Sequence, residues 1–411
     1  MKQFFILVFV ILFSVNLNAQ TFYEDVQPIT QKNCVPCHFN GGPAPFELTT
    51  YQAVSRKAKT VAAVVSAGYM PPWMPDTAYS HFNGERYLTS EEKAIILDWV
   101  ANGKKEGKLN KGIAPLEVQV DNFIEDLLVL AGGIDIDTNV TDLYRFFVIP
   151  NPLEKDTTIS GIRFNPGNPK IVHHAWVFAD TVGFSLNGVK TNAVSEFSDL
   201  GFPFTDILTG YLPGCNSMLF PKGSGKRLFA GSNIVVQVHY YSPSGKFHDS
   251  SSISFQYAQK PVKRPVKTML ILEKNLVSPP LEIPANQIIT EVLEHKINGN
   301  IEVLRIGPHM HARGSKIWVY AVTPNLDTIP LIRINEWDFK WQGYYPFKSP
   351  VLIPAGSRIR QEATYDNTEG NMNNPVVPPV VVHYGLGSLN EMCELAIEFL
   401  EVINSDNRGE D

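Results

Sequence analysis

The sequence predicts a multidomain chain: a small all-α domain followed by two all-β antiparallel sandwich domains of jelly-roll type. Three observations carry this prediction. The chain has 411 residues, more than one core of roughly 250 residues accommodates. Its character changes near residue 112, from helical patterning to short runs of β-branched and aromatic residues broken by Pro, Gly and Asn. That second stretch, roughly 290 residues, is too long for one sandwich of about 100 residues, so two are expected.

In chain order, residues 1–19 form the first element. Lys2 precedes an unbroken apolar run from Phe4 to Phe13, and small and polar residues lead to Ala19, the pattern of a cleaved signal peptide. The run is shorter than the roughly 20 residues a spanning helix needs, so no transmembrane anchor is expected, and the mature chain is placed in the periplasm or outside the cell. Residues 20–110 read as helical. A long polar-apolar stretch covers 47–67, and a second begins at Thr89 or Ser90, whose hydroxyl can cap a helix that Glu91 and Glu92 favour at its positive end. Gly103 suits its exit. Residues 111–265 and 266–405 are the two sandwiches, exemplified by the run Ile234 to Tyr241, with the join placed near Val266. Residues 406–411 are a polar tail.

Composition excludes several classes of function. Hydrophobic residues make up 44%, charged residues 18%, and the formal net charge is -6, which describes a globular, mildly acidic chain without the basic patch of a nucleic-acid binder. Of the four cysteines, two share one motif, so disulfides contribute little to the fold.

That motif is Cys34-Val35-Pro36-Cys37-His38. Two cysteines at this spacing can both add to the vinyl groups of one haem, and the following histidine is then held beneath the iron as an axial ligand. A redox dithiol would want a strand-helix unit around it, and a zinc site would want a second Cys-x-x-Cys that the chain lacks. Covalent haem c on Cys34, Cys37 and His38 is therefore expected. Met70, Met74 and His81 are candidates for the sixth ligand, although methionine is also common core filler.

Among the ten histidines, five fall into three patterns: the pair His173-His174, His239 within a strand, and His309-Met310-His311. Residues two apart on a strand share a face, so His309 and His311 can chelate one ion directly. Adjacent His173 and His174 point to opposite faces of a regular strand. They reach one ion only if the strand bulges or twists, or if one coordinates through a different ring nitrogen. His239 alone reads as structural, and His248, His295 and His383 have no partner at ligand spacing.

Four islands in order, Val172-His173-His174-Ala175, Gln237-Val238-His239-Tyr240, His309-Met310-His311 and Glu391-Met392-Cys393, resemble the copper type II, ascorbate-dependent monooxygenases, which include dopamine beta-monooxygenase and peptidylglycine alpha-hydroxylating monooxygenase. The resemblance spans about residues 112–403. It implies one copper on His173, His174 and His239, for electron transfer, and a second on His309, His311 and Met392, where dioxygen reacts. A thioether favours Cu(I), and all-imidazole ligation suits a copper that cycles between oxidation states. It further implies dioxygen and a small-molecule or peptide substrate, with electrons from ascorbate; the fused haem motif suggests a periplasmic redox protein as a substitute donor, acting through the haem. The segment Gly68 to Trp73 is similar to the distal loop of haem domains fused to copper oxygenases, which favours Met70 as sixth ligand.

Departures from the family are informative. The peptide-amidating members carry an arginine two positions before the His-x-His pair and a tyrosine four after the methionine. Here those positions are Gly307 and Ala396, so peptide amidation is not expected. Arg305 and Arg313 lie nearby and read as ordinary surface charges. Cys215 and Cys393 are distant in sequence order and read as unpaired. Two rival readings use the same residues: a non-catalytic copper-binding or electron-transfer protein, and a cytochrome joined to sandwiches that bind carbohydrate or a partner, with the histidines merely structural.

Overall fold

The computed structural model describes residues 20–109, 122–137, 140–182, 194–195, 206–214, 217–242, 245–385, 387 and 389–402. The signal segment 1–19, the boundary at 110–111, Cys215 and the tail 406–411 lie outside the described residues. Most of the described chain is β-strand arranged in several sheets, and three α-helices are found among the described residues: α1 (Gln27–Asn33), α2 (Tyr51–Ser66) and α3 (Ser90–Ala101).

The helices share one small core in which Val54, Val61, Ile96 and Trp99 are buried. Thr50 caps α2 by accepting from the Ala53 N–H. Of the two cap candidates at α3, Thr89 takes the role: its hydroxyl accepts from the Glu92 N–H while the Glu92 carboxylate accepts from the Thr89 N–H, a reciprocal capping box. Gly103 then leaves the helix at φ 90°, where a side chain would be strained.

Beyond residue 126 two sandwiches follow. The first packs a sheet ordered 127–130, 252–257, 157–165, 224–228, 264–265 against one ordered 194–195, 140–150, 233–242, 172–180, 207–211. The second packs 267–271, 394–401, 301–309, 345–353 against 288–296, 358–366, 314–322, 328–334. Period-two alternation builds the second core: along Arg358–Asp366, Ile359, Gln361, Ala363 and Tyr365 are buried while the residues between them are partly or wholly exposed.

The strand Val140–Pro150 reads differently, and the difference places the site. Phe147 and Ile149 enter the core of the first sandwich. Phe146 and Val148, on the opposite face, are buried with Phe178 and Val235 of their own sheet and with Ala396 of the second sandwich. The strand is apolar on both faces because the second sandwich covers its outer side. The strands carrying residues 172–180 and 233–242 are its neighbours in that sheet, and the strands 301–309 and 394–401 lie in the opposing one.

Buried charge also joins the sandwiches. The Lys226 ammonium of the first sandwich donates to the Ile207 carbonyl, to Thr268 Oγ1 at 2.8 Å and to Glu398 Oε1 at 2.9 Å, and it pairs with Asp206 at 3.0 Å. Arg305 approaches the other Glu398 oxygen at 3.6 Å. Residues 73–86 tie the helical region to the second sandwich. Phe82 is buried in that sandwich's core, Asp76 pairs with Arg333 at 2.7 Å and Glu85 with Lys348 at 2.8 Å.

Candidate metal centres and the cavity between them

His173 and His174 open the strand Val172–Asp180, and His239 lies on the antiparallel neighbour Asn233–Ser242. His239 is the register partner of His174, and the next pair is Tyr240 with Val172, so the ladder steps over His173. This irregularity is the bulge that two adjacent histidines need to serve one point, because it turns His173 onto the face that His174 already occupies. His173 Nδ1 lies 3.2 Å from His174 Nδ1, and His239 Nδ1 lies 3.4 Å from the same atom. All three residues offer a ligand atom within 4.8 Å of one another. The Tyr144 ring stacks on His239 with centroids 4.3 Å apart. Burial, and after it the charges of His239, His173 and His309, hold the His174 imidazole well below its usual range. A neutral imidazole is the state in which a histidine ligates a metal.

The second set is held by a different device. His309 ends the strand Ile301–His309, and His311 follows two residues later with ring centroids 5.2 Å apart. His309 Nδ1 is hydrogen-bonded to Gln342 Oε1, and His311 Nδ1 to the Asn390 carbonyl at 3.0 Å. Both partners are oxygens that accept, so each Nδ1 carries the proton and each Nε2 presents its lone pair. Burial, together with His311 alongside, pushes the His309 imidazole down to about 3.

Met392 reaches the same cavity from the chain segment before the strand Glu394–Glu401. The preceding residue, Glu391, is fully buried and its carboxylate accepts from the backbone N–H of His311 at 2.8 Å and of Arg313 at 2.7 Å. That carboxylate joins the His311 turn to the Met392 segment. Arg313 completes the clasp by donating to the Leu389 carbonyl at 3.0 Å and to Asn367 Oδ1 at 3.1 Å.

His174, His309, His311 and Met392 all line one cavity of about 240 Å³ between the sandwiches. Across its floor, adjacent strands pair His309 with Glu394, Gly307 with Ala396 and Arg305 with Glu398. Gly307 and Ala396 therefore face each other, and a Cβ on Gly307 would stand 2.7 Å from the Tyr344 ring. Arg305 and Arg313 are not surface charges: they are 8% and 0% exposed, because each neutralises or ties down a buried carboxylate.

Four residues of this site carried no signal in the sequence. The short turn Phe339–Trp341 sets Phe339 against His311, with ring centroids 5.5 Å apart, and Trp341 against His173 at 6.2 Å. Gln342 follows immediately, and Tyr144 is the register partner of His239 on the neighbouring strand of the first sandwich's sheet. No spacing rule links them to the histidines: packing of one sandwich on the other brings Phe339, Trp341 and Gln342 there, and strand pairing brings Tyr144. The remaining histidines stand apart: His248 pairs with Asp135 and His383 with Glu282 on the surface, and His295 lies by Asn275.

In the helical region His38 Nδ1 lies 2.8 Å from the Phe46 carbonyl, which can only accept, so Nε2 carries the lone pair. Burial pushes the Cys34 thiol up to about 12. Cys37 Sγ lies 3.5 Å from the Pro213 carbonyl of the first sandwich. Of the three sixth-ligand candidates, Met74 Sδ accepts from the Asp338 N–H at 3.2 Å and packs on the second sandwich's core. His81 is exposed and bonded to Glu85 at 3.1 Å. Cys393 is a buried free thiol.

Residues 269–407 match the family model of the copper type II ascorbate-dependent monooxygenase C-terminal domain. Among solved structures the chain is similar to infectious bursal disease virus, Gt strain, at 12% identity over 70% of this chain and 84% of that one, with a TM-score of 0.16. It is also similar to a two-domain protein of unknown function from Bacteroides fragilis, at 11% identity over 62% and 94%, again with a TM-score of 0.16. Likenesses this weak carry no argument. No described helix is long and apolar enough to cross a membrane.

Proposed function

We propose that this chain is an exported copper monooxygenase that inserts one atom of dioxygen into a C–H bond, with electrons relayed from a c-type haem in the helical region. The observation that carries the reading is that His309, His311 and Met392 line one cavity between the sandwiches together with His174, one of three clustered histidines. The family match of residues 269–407 supports the oxygen-reacting half.

His173, His174 and His239 would hold one copper through imidazole nitrogens, and His309, His311 and Met392 the second. Copper at these positions would supply one-electron chemistry with dioxygen. The chain's own contribution is positional. Gln342 and the Asn390 carbonyl hold the protons of His309 and His311 away from the ligating atoms, and Glu391 locks the turn from His311 to Arg313. The aromatic and aliphatic lining keeps bulk water from the reacting atoms. Cys34, Cys37 and His38 would carry the haem, with Met70 as the sixth-ligand candidate. The electron donor to the haem would be ascorbate or a periplasmic redox protein.

The test is the copper-to-iron ratio of haem-matured, copper-loaded protein after removal of loosely bound metal, followed by dioxygen uptake under reduction. Two coppers per iron are expected, with uptake abolished in Met392→Ala while the haem spectrum is unchanged. A copper content near zero would sink the reading. Full copper without uptake would instead make this a copper-binding electron carrier.

A further inference from the structure

We propose that the Cys34 to His38 motif docks on the first sandwich at Pro213, with Arg86 as the positioning residue, and that electrons pass from there along the strand Ile207–Tyr211 to His174. The electron route rests on the monooxygenase reading; the docking seam does not.

The seam is built from both sides. Cys37 Sγ lies 3.5 Å from the Pro213 carbonyl, which also accepts from Arg86 Nη1 at 3.1 Å. The same Arg86 nitrogen lies 3.8 Å from Cys37 Sγ. A cysteine joined to haem as a thioether has no hydrogen left to donate, so Arg86 would then satisfy that carbonyl. Arg86 Nε is buried without a hydrogen-bond partner among the described residues, which is unfavourable for a side chain that could turn to solvent, so the seam holds it in place. Gly214, at φ 80°, closes the seam: a Cβ there would stand 2.4 Å from Arg86 Nη1 and 2.6 Å from Cys37 Sγ.

Beyond the seam the path follows bonds and strand pairing. Pro213 lies two residues after Tyr211, which ends a strand antiparallel to Val172–Asp180. Tyr211 is the register partner of Ala175, and Ala175 follows His174. Between Cys37 and His174 there is thus one contact of 3.5 Å and one crossing between paired strands. A second connection runs from Met74 to the Asp338 N–H at 3.2 Å and on to Trp341, whose ring centroid is 6.2 Å from that of His173. That connection starts from the segment on the second sandwich, not from the motif that would hold the haem. The step itself moves one electron: haem Fe(II) becomes Fe(III), and Cu(II) on His173, His174 and His239 becomes Cu(I), with no bond made or broken. A fixed cation beside Cys37 also disfavours the added positive charge of Fe(III).

The experiment is flash reduction of the haem under argon in the haem-matured, copper-loaded full chain, with its reoxidation followed in wild type, Gly214→Ala and Arg86→Gln. Iron and copper are counted in every sample, and hydrogen exchange is measured at residues 211–214. A fast phase of reoxidation is expected in the wild type and should be lost in Gly214→Ala with both metals retained. Arg86→Gln should slow that phase and lower the haem potential, and exchange should rise in both variants. With both metals bound, a wild type without the fast phase, or variants with unchanged kinetics and exchange, would overturn the proposal. So would loss of the phase in Trp341→Leu alone, which would move the route to the second sandwich. Missing iron or copper would instead remove the monooxygenase reading and the route with it, and the exchange measurement then decides the seam by itself. Arg86→Gln carries the test if Gly214→Ala fails to fold.

Discussion

His174 and His239 are register partners on adjacent antiparallel strands, with Nδ1 atoms 3.4 Å apart, and the ladder between them skips His173. The histidine pair is thus converted from two opposite-facing residues into two that converge, and a third joins them from the neighbouring strand.

His173 sits in that bulge and is only partly buried, so His173→Ala should leave the fold intact. We expect it to lower bound copper from about two equivalents to about one, since a site reduced to two ligands loses affinity. Elemental analysis paired with a thermal melt checks this, and unchanged copper content would remove His173 from the ligand set.

Gln342 orients His309 without touching the opposite set. Replacing it by Ala should weaken Cu(I) binding at the His309, His311 and Met392 site by about 10- to 100-fold, the usual effect of losing a partner that holds a ligand's tautomer. Competition with a chromophoric Cu(I) chelator measures it. Equal affinity in variant and wild type would show that the Asn390 carbonyl and local packing suffice.

Lys226 neutralises a fully buried Glu398 across the two sandwiches. Lys226→Met should destabilise the chain by about 3–5 kcal/mol, because a carboxylate is left buried with only Arg305 at 3.6 Å. A double variant with Glu398→Leu should recover much of that loss in chemical denaturation. Failure to recover would mean that Lys226 acts chiefly through its bonds to Ile207 and Thr268.

Burial pushes the Cys393 thiol up to about 12, so almost no thiolate exists at pH 8. The native protein should leave Cys393 unmodified by iodoacetamide, and denaturant should expose it. Peptide mapping reads the site directly; rapid native alkylation would show that this strand end opens readily.

Much of the architecture was legible because its signals are local. The Thr89 capping box needs only four consecutive residues, and the period-two runs at 234–241 and 358–366 need only their own alternation. The Cys34 to His38 motif and the His309-Met310-His311 spacing are likewise local, whereas His239 and Met392 are singled out only by the family resemblance. Arg305 and Arg313 were misread as surface charges, since an arginine's burial depends on the carboxylate that meets it, and Glu398 and Glu391 lie more than 70 residues away in the chain.

The sequence by itself supplied the ligand types, the shared face of His309 and His311, and that a bulge or twist is one way adjacent histidines can meet. Only the tertiary structure decided that His174, His309, His311 and Met392 line one cavity, that Phe339 and Trp341 stand against His311 and His173, and that Glu398 is met by two cations. The reason is physical. Ligand type and strand periodicity are properties of a few neighbouring residues, whereas the cavity and its charge balance arise where two sheets, each folded on its own core, press their outer faces together.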